Sequence, residues 1–367
     1  MGDTSIEWTD KTWNPTRGCS LISPGCTNCY AMKFAHRFSA EGKPFAGLTR
    51  LRAKGGPVWT GEVRPASDML GLPMRWRKPA RVFVNSMSDL FHESLPDHQI
   101  DKVFAMMMIS CLHETRGGHT FQVLTKRADR MAAYLNDPMT RHRVATEAGR
   151  VMEDSDAWHD LVFYNVNGLT DPRIWLGVSV ENQRYADERI PHLLATPAAV
   201  RFVSYEPALG AVDFKRWMWP VHDSWPVGFG SASAARAAGA VVTRHRQALV
   251  SAHARFLDWV IVGGESGPGA RPFDLRWARD IIAQCREAGV AAFFKQAGRL
   301  VVDSEYRLGT NAPHDKRSIA AAKALGCEDC PPNLLVLWDR KGGDFEELRS
   351  RGAADELLVR EFPEVRR

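Results

Sequence analysis

Largely apolar, β-branched or aromatic runs recur along the chain at Arg81–Asn85, Thr120–Leu124, Ile174–Val180, Val200–Ser204, Trp259–Val262 and Ala291–Phe294. Each is four to seven residues long, and largely apolar at successive rather than alternate positions. That is the pattern of a strand buried on both faces. Stretches with helical spacing of apolar residues lie between or after them, at Pro96–Cys111, Arg127–Leu135, Asn182–Leu194 and Leu275–Ala288, and Ala31–Phe38 reads as a further helix. The alternation predicts an α/β fold with a parallel sheet covered by helices.

The residues that follow the strands turn polar: Asn85, Ser86, Ser88 and Asp89, then Lys126, Glu181 and Asn182, Glu206, Glu265, and Lys295. Strand ends of a parallel barrel rim one mouth, whereas an open doubly wound sheet gathers its ligand contacts at one switch point. Six polar ends therefore predict a partial or complete parallel (β/α) barrel over residues 1–300. Helix capping is the plainer account of Ser88 and Asp89. Insertions are expected at about 39–78, 136–172 and 217–256, and an appendage at 301–367 with a short helix near Gly352–Glu361. The chain shows no internal repeat.

Length and composition narrow this. The 367 residues, 44% hydrophobic and 25% charged, are those of a folded chain, long enough for a decorated barrel or two domains. No run approaches the ~20 apolar residues of a membrane span, and the first residues lack a basic-then-apolar signal pattern, so a cytoplasmic protein is expected. The net charge of +5 is weak. Its distribution says more: residues 50–81 hold eight Lys and Arg against Glu62 and Asp68, and between Asp223 and Asp258 no acid offsets Arg236, Arg244, Arg246 and Arg255. Both stretches suit contact with phosphate, and both are also compatible with an ordinary basic surface.

Seven cysteines, an odd number, argue against a disulfide framework. Cys111 and Cys285 sit in apolar helical surroundings and read as core. Cys327 and Cys330 supply half of a metal site. Cys19, Cys26 and Cys29 form C-x6-C-x2-C, with Pro24-Gly25 able to turn the longer spacer back. Three thiolates suit zinc or an iron–sulfur cluster. Zinc needs a fourth ligand, for which His36 is nearest. A [4Fe–4S] cluster held by three cysteines leaves one iron open to a small molecule.

A three-cysteine loop ahead of a parallel barrel resembles the radical S-adenosylmethionine (SAM) superfamily. The blocks IEWTDKTWNPTRGCSLISPGCTNCYA, FVNSMSDLFHE, FQVLTKR, WLGVSVEN, VIVGGESGPGARP and FFKQAG resemble, more closely, a phage-associated three-cysteine-motif family of unknown function. The resemblance implies a [4Fe–4S] cluster on Cys19, Cys26 and Cys29, SAM on the open iron, an electron donor, and a 5′-deoxyadenosyl radical that abstracts hydrogen. It further implies SAM contacts from Ser86, Ser88 and Asp89 to the amino group, from Glu181 and Asn182 to the ribose, and from Glu265 to adenosine or substrate. Phage association makes nucleic acid or a nucleotide the expected substrate. The cysteine spacing departs from the superfamily's usual C-x3-C-x2-C, and Gly263-Gly264-Glu265 follows a late strand, where the superfamily's Gly-Gly-Glu follows the second.

Two other readings stand beside this one. The first is a non-catalytic nucleic-acid-binding protein with structural zinc; the second is a barrel hydrolase using Glu206 and Glu265.

Overall fold

The computed structural model describes residues 4–53, 55–112, 118–152, 155–165, 168–218, 256–307, 334–338 and 359–363. Two compact units emerge, one drawn from Met1–Ser179 and Arg189–Arg201, the other from Val180–Glu188 and Phe202–Pro363.

The first unit opens with β1 (Lys11–Trp13) and β2 (Thr16–Arg17), followed by the cysteine loop and α1 (Tyr30–Arg37). A hairpin of β3 (Thr49–Leu51) and β4 (Pro57–Trp59) comes next, then β5 (Arg64–Pro65), antiparallel to β2, and α2 (Ser67–Leu70). Strand and helix then alternate: β6 (Arg81–Val84), α3 (Asp97–Leu112), β7 (Thr120–Thr125), the helices α4 (Ala128–Asn136), α5 (Thr140–Met152) and α6 (Ser155–Phe163), and β8 (Ile174–Ser179). β1, β6, β7 and β8 pair in parallel, with Lys11 opposite Val82, Arg81 opposite Thr120, and Phe121 opposite Ile174. Their carboxyl ends therefore share one edge.

The division between the units falls, along the chain, within α7 (Gln183–Ala195) and β9 (Val200–Tyr205). Beyond Phe202 the second unit continues with α8 (Lys215–Met218), β10 (Trp259–Gly263), β11 (Phe273–Asp274), α9 (Leu275–Ala288), β12 (Ala291–Gln296), β13 (Leu300–Arg307) and β14 (Leu334–Trp338). β10 is parallel to both β9 and β12. The strand order is β1-β6-β7-β8 in the first unit and β9-β10-β12 in the second. The fold is mixed α/β, with parallel main-sheet strands in each unit. No helix among the described residues is long and apolar enough to cross a membrane.

Every residue of β8, β9 and β10 is buried, which is why these runs read as largely apolar. α9 carries its own punctuation: Asp274 accepts from Arg276 N at 3.0 Å, and Gly289, at φ 64°, closes the last turn. α3 buries most of its length, and its buried Asp101 is satisfied by Tyr134 Oη at 2.7 Å and Arg143 Nε.

The six predicted strands and the five helices predicted before residue 300 are present, with ends shifted by a residue or two. β1 is additional. Residues 39–78 contain the β3–β4 hairpin, whose Val58 and Trp59 join Phe45, Leu48 and Met87 in one apolar cluster with Ala31, Met32 and Ala35 of α1. The helix expected near Gly352–Glu361 needs correction at its end. Val359 O accepts from Phe294 N at 2.8 Å and Arg360 bridges Phe293, so Val359–Glu361 run extended beside β12, where the apolar edge strand outcompetes a short helix. Residues 219–255, which hold most of the third expected insertion and its arginines, lie outside the described residues, as do Cys327 and Cys330.

Candidate functional site

The ends of β1 and β6 are laced together in the first unit. Asn85 N donates to Trp13 O at 2.8 Å, and Asn14 Oδ1 accepts from Met87 N at 2.9 Å and Ser86 Oγ at 3.2 Å. Thr16 Oγ1 donates to Ser88 Oγ at 2.9 Å, and Gly18 forms a parallel bridge with Ser88. The chain entering the cysteine loop is thereby laid along residues 85–89. Asn85 adopts a left-handed backbone, φ 62°, as asparagine tolerates. It is 3% exposed, and its Nδ2 has no partner among the described residues. A buried amide donor left open is costly unless a ligand meets it. Sequence reasoning noted Asn85 only as a polar strand end.

Within the loop, Pro24–Cys26 forms a 3-10 turn and Cys29 caps α1, with Cys26 N bonded to Ser23 O at 3.0 Å and Cys29 N to Cys26 O at 3.3 Å. Cys19 and Cys29 both pack against the apolar cluster of α1 and the hairpin. Burial, reinforced by the Asp89 charge and by the two other cysteines, pushes the Cys19 thiol up to about 12 despite Arg127 nearby. Burial also raises Cys29, with Cys26 adding to the effect. Both shifts disfavour the thiolate forms of Cys19 and Cys29. Among the described residues no group of three or more His, Cys, Asp or Glu stands close enough to hold a metal ion. As donors the three are nonetheless all soft sulfur, on one loop and with no carboxylate among them, the set an iron–sulfur group requires. His36 Nδ1 is bonded to Thr49 Oγ1 at 3.1 Å.

Behind the loop stands Arg127, 7% exposed. Its Nη1 donates to Asp89 Oδ2 at 3.0 Å and stands 4.0 Å from Cys19 Sγ, its Nε donates to Glu93 Oε2 at 2.5 Å, and its Nη2 to Ser20 Oγ at 2.6 Å. Asp89 also accepts from Thr125 Oγ1 at 2.6 Å, Phe91 N at 3.0 Å and Lys126 N at 3.1 Å. His92 Nδ1 accepts from Ser94 N, so its proton sits on Nε2 and is given to Ser20 Oγ, 2.9 Å away; Ser20 then donates to Glu93 Oε1. Every donor in this chain has an acceptor. Burial, and then the Arg127 charge, keep His92 below its usual range and hence neutral. Asp89 is thus a brace that ties the loop's cation to the ends of β6 and β7.

In the second unit, Asn182 Oδ1 accepts from Tyr185 N at 3.4 Å, as a helix cap does, and the backbone oxygen of the buried Glu181 accepts from Leu209 N at 2.7 Å. Glu206 Oε1 pairs with Lys295 Nζ at 2.6 Å and accepts from Gln296 Nε2 at 3.1 Å. Glu265 is gripped by Arg271 through Nη2 at 2.6 Å, Nε at 3.0 Å and the backbone N at 2.9 Å. Both carboxylates of the hydrolase reading are thus committed to cations. Close packing explains the glycines here: a Cβ on Gly264 would lie 2.2 Å from Ala297 O, and one on Gly298, at φ 79°, 2.6 Å from Glu265 O.

Fold and site together define an α/β protein with a parallel sheet and a three-cysteine loop at the carboxyl ends of its first strands. Residues 3–328 match the family described as "Protein of unknown function (DUF5131)", and the chain belongs to that family. No curated protein and no solved structure matches it.

Proposed function

We propose that the protein is a radical SAM-like iron–sulfur enzyme, with Cys19, Cys26 and Cys29 as the ligands of a [4Fe–4S] cluster, and that it modifies nucleic acid or a nucleotide, in keeping with its resemblance to a phage-associated family. The observation that carries this reading is the all-sulfur loop laid, through the Gly18–Ser88 bridge, beside the ends of parallel strands and next to the open donor of Asn85. When bound, the cluster supplies an electron, taken from a one-electron donor, for reductive cleavage of SAM. Ser20, Asp89 and Arg127 hold the loop's first cysteine in position. Ser88 and Asn85 offer donors to the polar end of a bound ligand, while Ser86 Oγ is given to Asn14 and helps to hold the strand ends together.

Anaerobic reconstitution tests the reading. Iron and sulfide in a four-to-four ratio, loss of both on replacing any one of the three cysteines by Ala, and 5′-deoxyadenosine on reduction with SAM are expected; Cys111→Ser is expected to keep the iron. Stoichiometric zinc without iron would replace this proposal with a structural-zinc, nucleic-acid-binding protein.

A further inference from the structure

α1 leaves the cysteine loop with an aromatic stripe on its outer face, whose first ring is tethered at its tip by Tyr30 Oη donating to Ser86 O at 3.1 Å and whose last, Phe38, stands just past the helix end. Tyr30, Phe34 and Phe38 recur at i, i+4 and i+8, one above another on a single face, and are 53%, 47% and 44% exposed. The opposite face, with Ala31, Met32 and Ala35, is the one buried against the β3–β4 hairpin. The Phe34 and Phe38 rings lie 5.1 Å apart, tilted by 46°.

Charge around the stripe is one-sided. Between Asp10 and Glu62 the only acid is Glu41, against eight Lys and Arg. Lys33 and Arg37, each next in sequence to a ring of the stripe, are exposed and have no ion-pair partner among the described residues, whereas Arg17 and Arg64 are neutralised by Asp68 and Glu62. Rings facing water beside uncommitted cations complement a partner with flat apolar faces and a repeating negative charge. Unpaired bases on a phosphate backbone have that chemistry, and base–aromatic stacking works with any base. Successive rings are about 6 Å apart along the helix axis, four residues at 1.5 Å each, a spacing that an extended strand with its bases unstacked can follow.

We infer that Tyr30, Phe34 and Phe38, flanked by Lys33 and Arg37, form a stacking platform for single-stranded nucleic acid that begins at the cysteine loop. This rests on the proposed reading and narrows its substrate class to unpaired nucleotides. A duplex, with its bases stacked inside, offers the rings nothing.

The test is fluorescence anisotropy of a labelled pyrimidine oligonucleotide with the full chain as purified, its iron content measured alongside. The single strand is expected to bind more tightly than the same sequence in a duplex. Phe34→Ala and Phe38→Ala are expected each to weaken it about tenfold, while Phe34→Trp retains binding. Lys33→Gln with Arg37→Gln is expected to flatten the salt dependence by about 0.7 in log–log slope for each phosphate no longer neutralised. Equal affinity for duplex and single strand, or wild-type affinity in the Phe→Ala variants, overturns the inference. So does self-association abolished by Phe34→Ala in a protein that binds no oligonucleotide, which makes the stripe a contact between copies of the chain. Absence of iron with binding intact would overturn the cluster and leave the platform standing.

Discussion

Arg127 and Asp89 form a buried ion pair, 3.0 Å between Nη1 and Oδ2 with both side chains 7% exposed, and the same guanidinium nitrogen faces Cys19 Sγ at 4.0 Å. Removing one partner of such a pair leaves a buried charge without compensation. Arg127→Gln is expected to lower stability by ~3–5 kcal/mol in chemical denaturation. The double change Arg127→Gln with Asp89→Asn is expected to cost less than the sum of the two, because neither charge is then stranded. Additive losses would mean that the two residues act separately.

Asn85 lets folding and the proposed ligand contact be tested apart. Its left-handed backbone is one that glycine adopts freely, so Asn85→Gly removes the open Nδ2 donor and keeps the turn. Stability is expected to change by less than about 1 kcal/mol, judged by Gly's entropic cost, and SAM affinity of the reconstituted protein to fall roughly five- to tenfold, the worth of one hydrogen bond. Equilibrium dialysis beside thermal unfolding reads both; unchanged affinity removes Asn85 from the site.

The glycines of the second unit differ in what surrounds them. Gly264→Ala and Gly298→Ala drive a methyl into backbone atoms and are expected to cost more than about 3 kcal/mol, beyond the usual range for a point change. Gly269 has a similar φ, 80°, but open space around its Cβ position, so Gly269→Ala is expected to cost only ~1 kcal/mol. Thermal unfolding of the three variants should rank them in that order.

Glu93 makes the first unit acid-sensitive. Burial opposes its ionisation, but Arg127 outweighs this and holds the carboxyl down to about 2, from an ordinary 4.5. A depressed carboxyl contributes stability that is complete above the ordinary value and is lost as pH falls through the folded one. The contribution should therefore disappear between pH 4.5 and about 2. Because its side chain is 60% exposed, the effect is expected to be modest and salt-sensitive. Glu93→Gln should flatten the acid limb of the stability curve; an identical limb in the variant would assign it to other carboxylates.

Strands buried on both faces announce themselves as apolar runs, which is why β6 to β10 and β12 were legible. β1 was not: Lys-Thr-Trp is three residues long, and its membership in the sheet rests on Trp13, wholly buried with Nε1 bonded to Met69 O at 2.8 Å, 56 positions away. The cysteine loop was legible because its spacing is local. Its brace was not, since Arg127 meets Ser20 across 107 positions and Asp89 across 38, and neither separation leaves a trace in composition. Asp89 could be read as a polar strand end, but its saturation by four donors depends on where β7 comes to lie.

Gly18 fixes the path by which the chain enters the cysteine loop. With φ 94° and a would-be Cβ 2.1 Å from Glu62 O, it threads the chain past the turn before β5 so closely that no side chain would pass. The approach to Cys19 is thus defined by backbone touching backbone. It belongs to the folded chain, and the first sulfur is delivered in register as part of folding. On the proposed reading, cluster insertion would follow the folding of this backbone crossing, and a chain made under metal starvation is expected to be rescued by iron and sulfide supplied after synthesis.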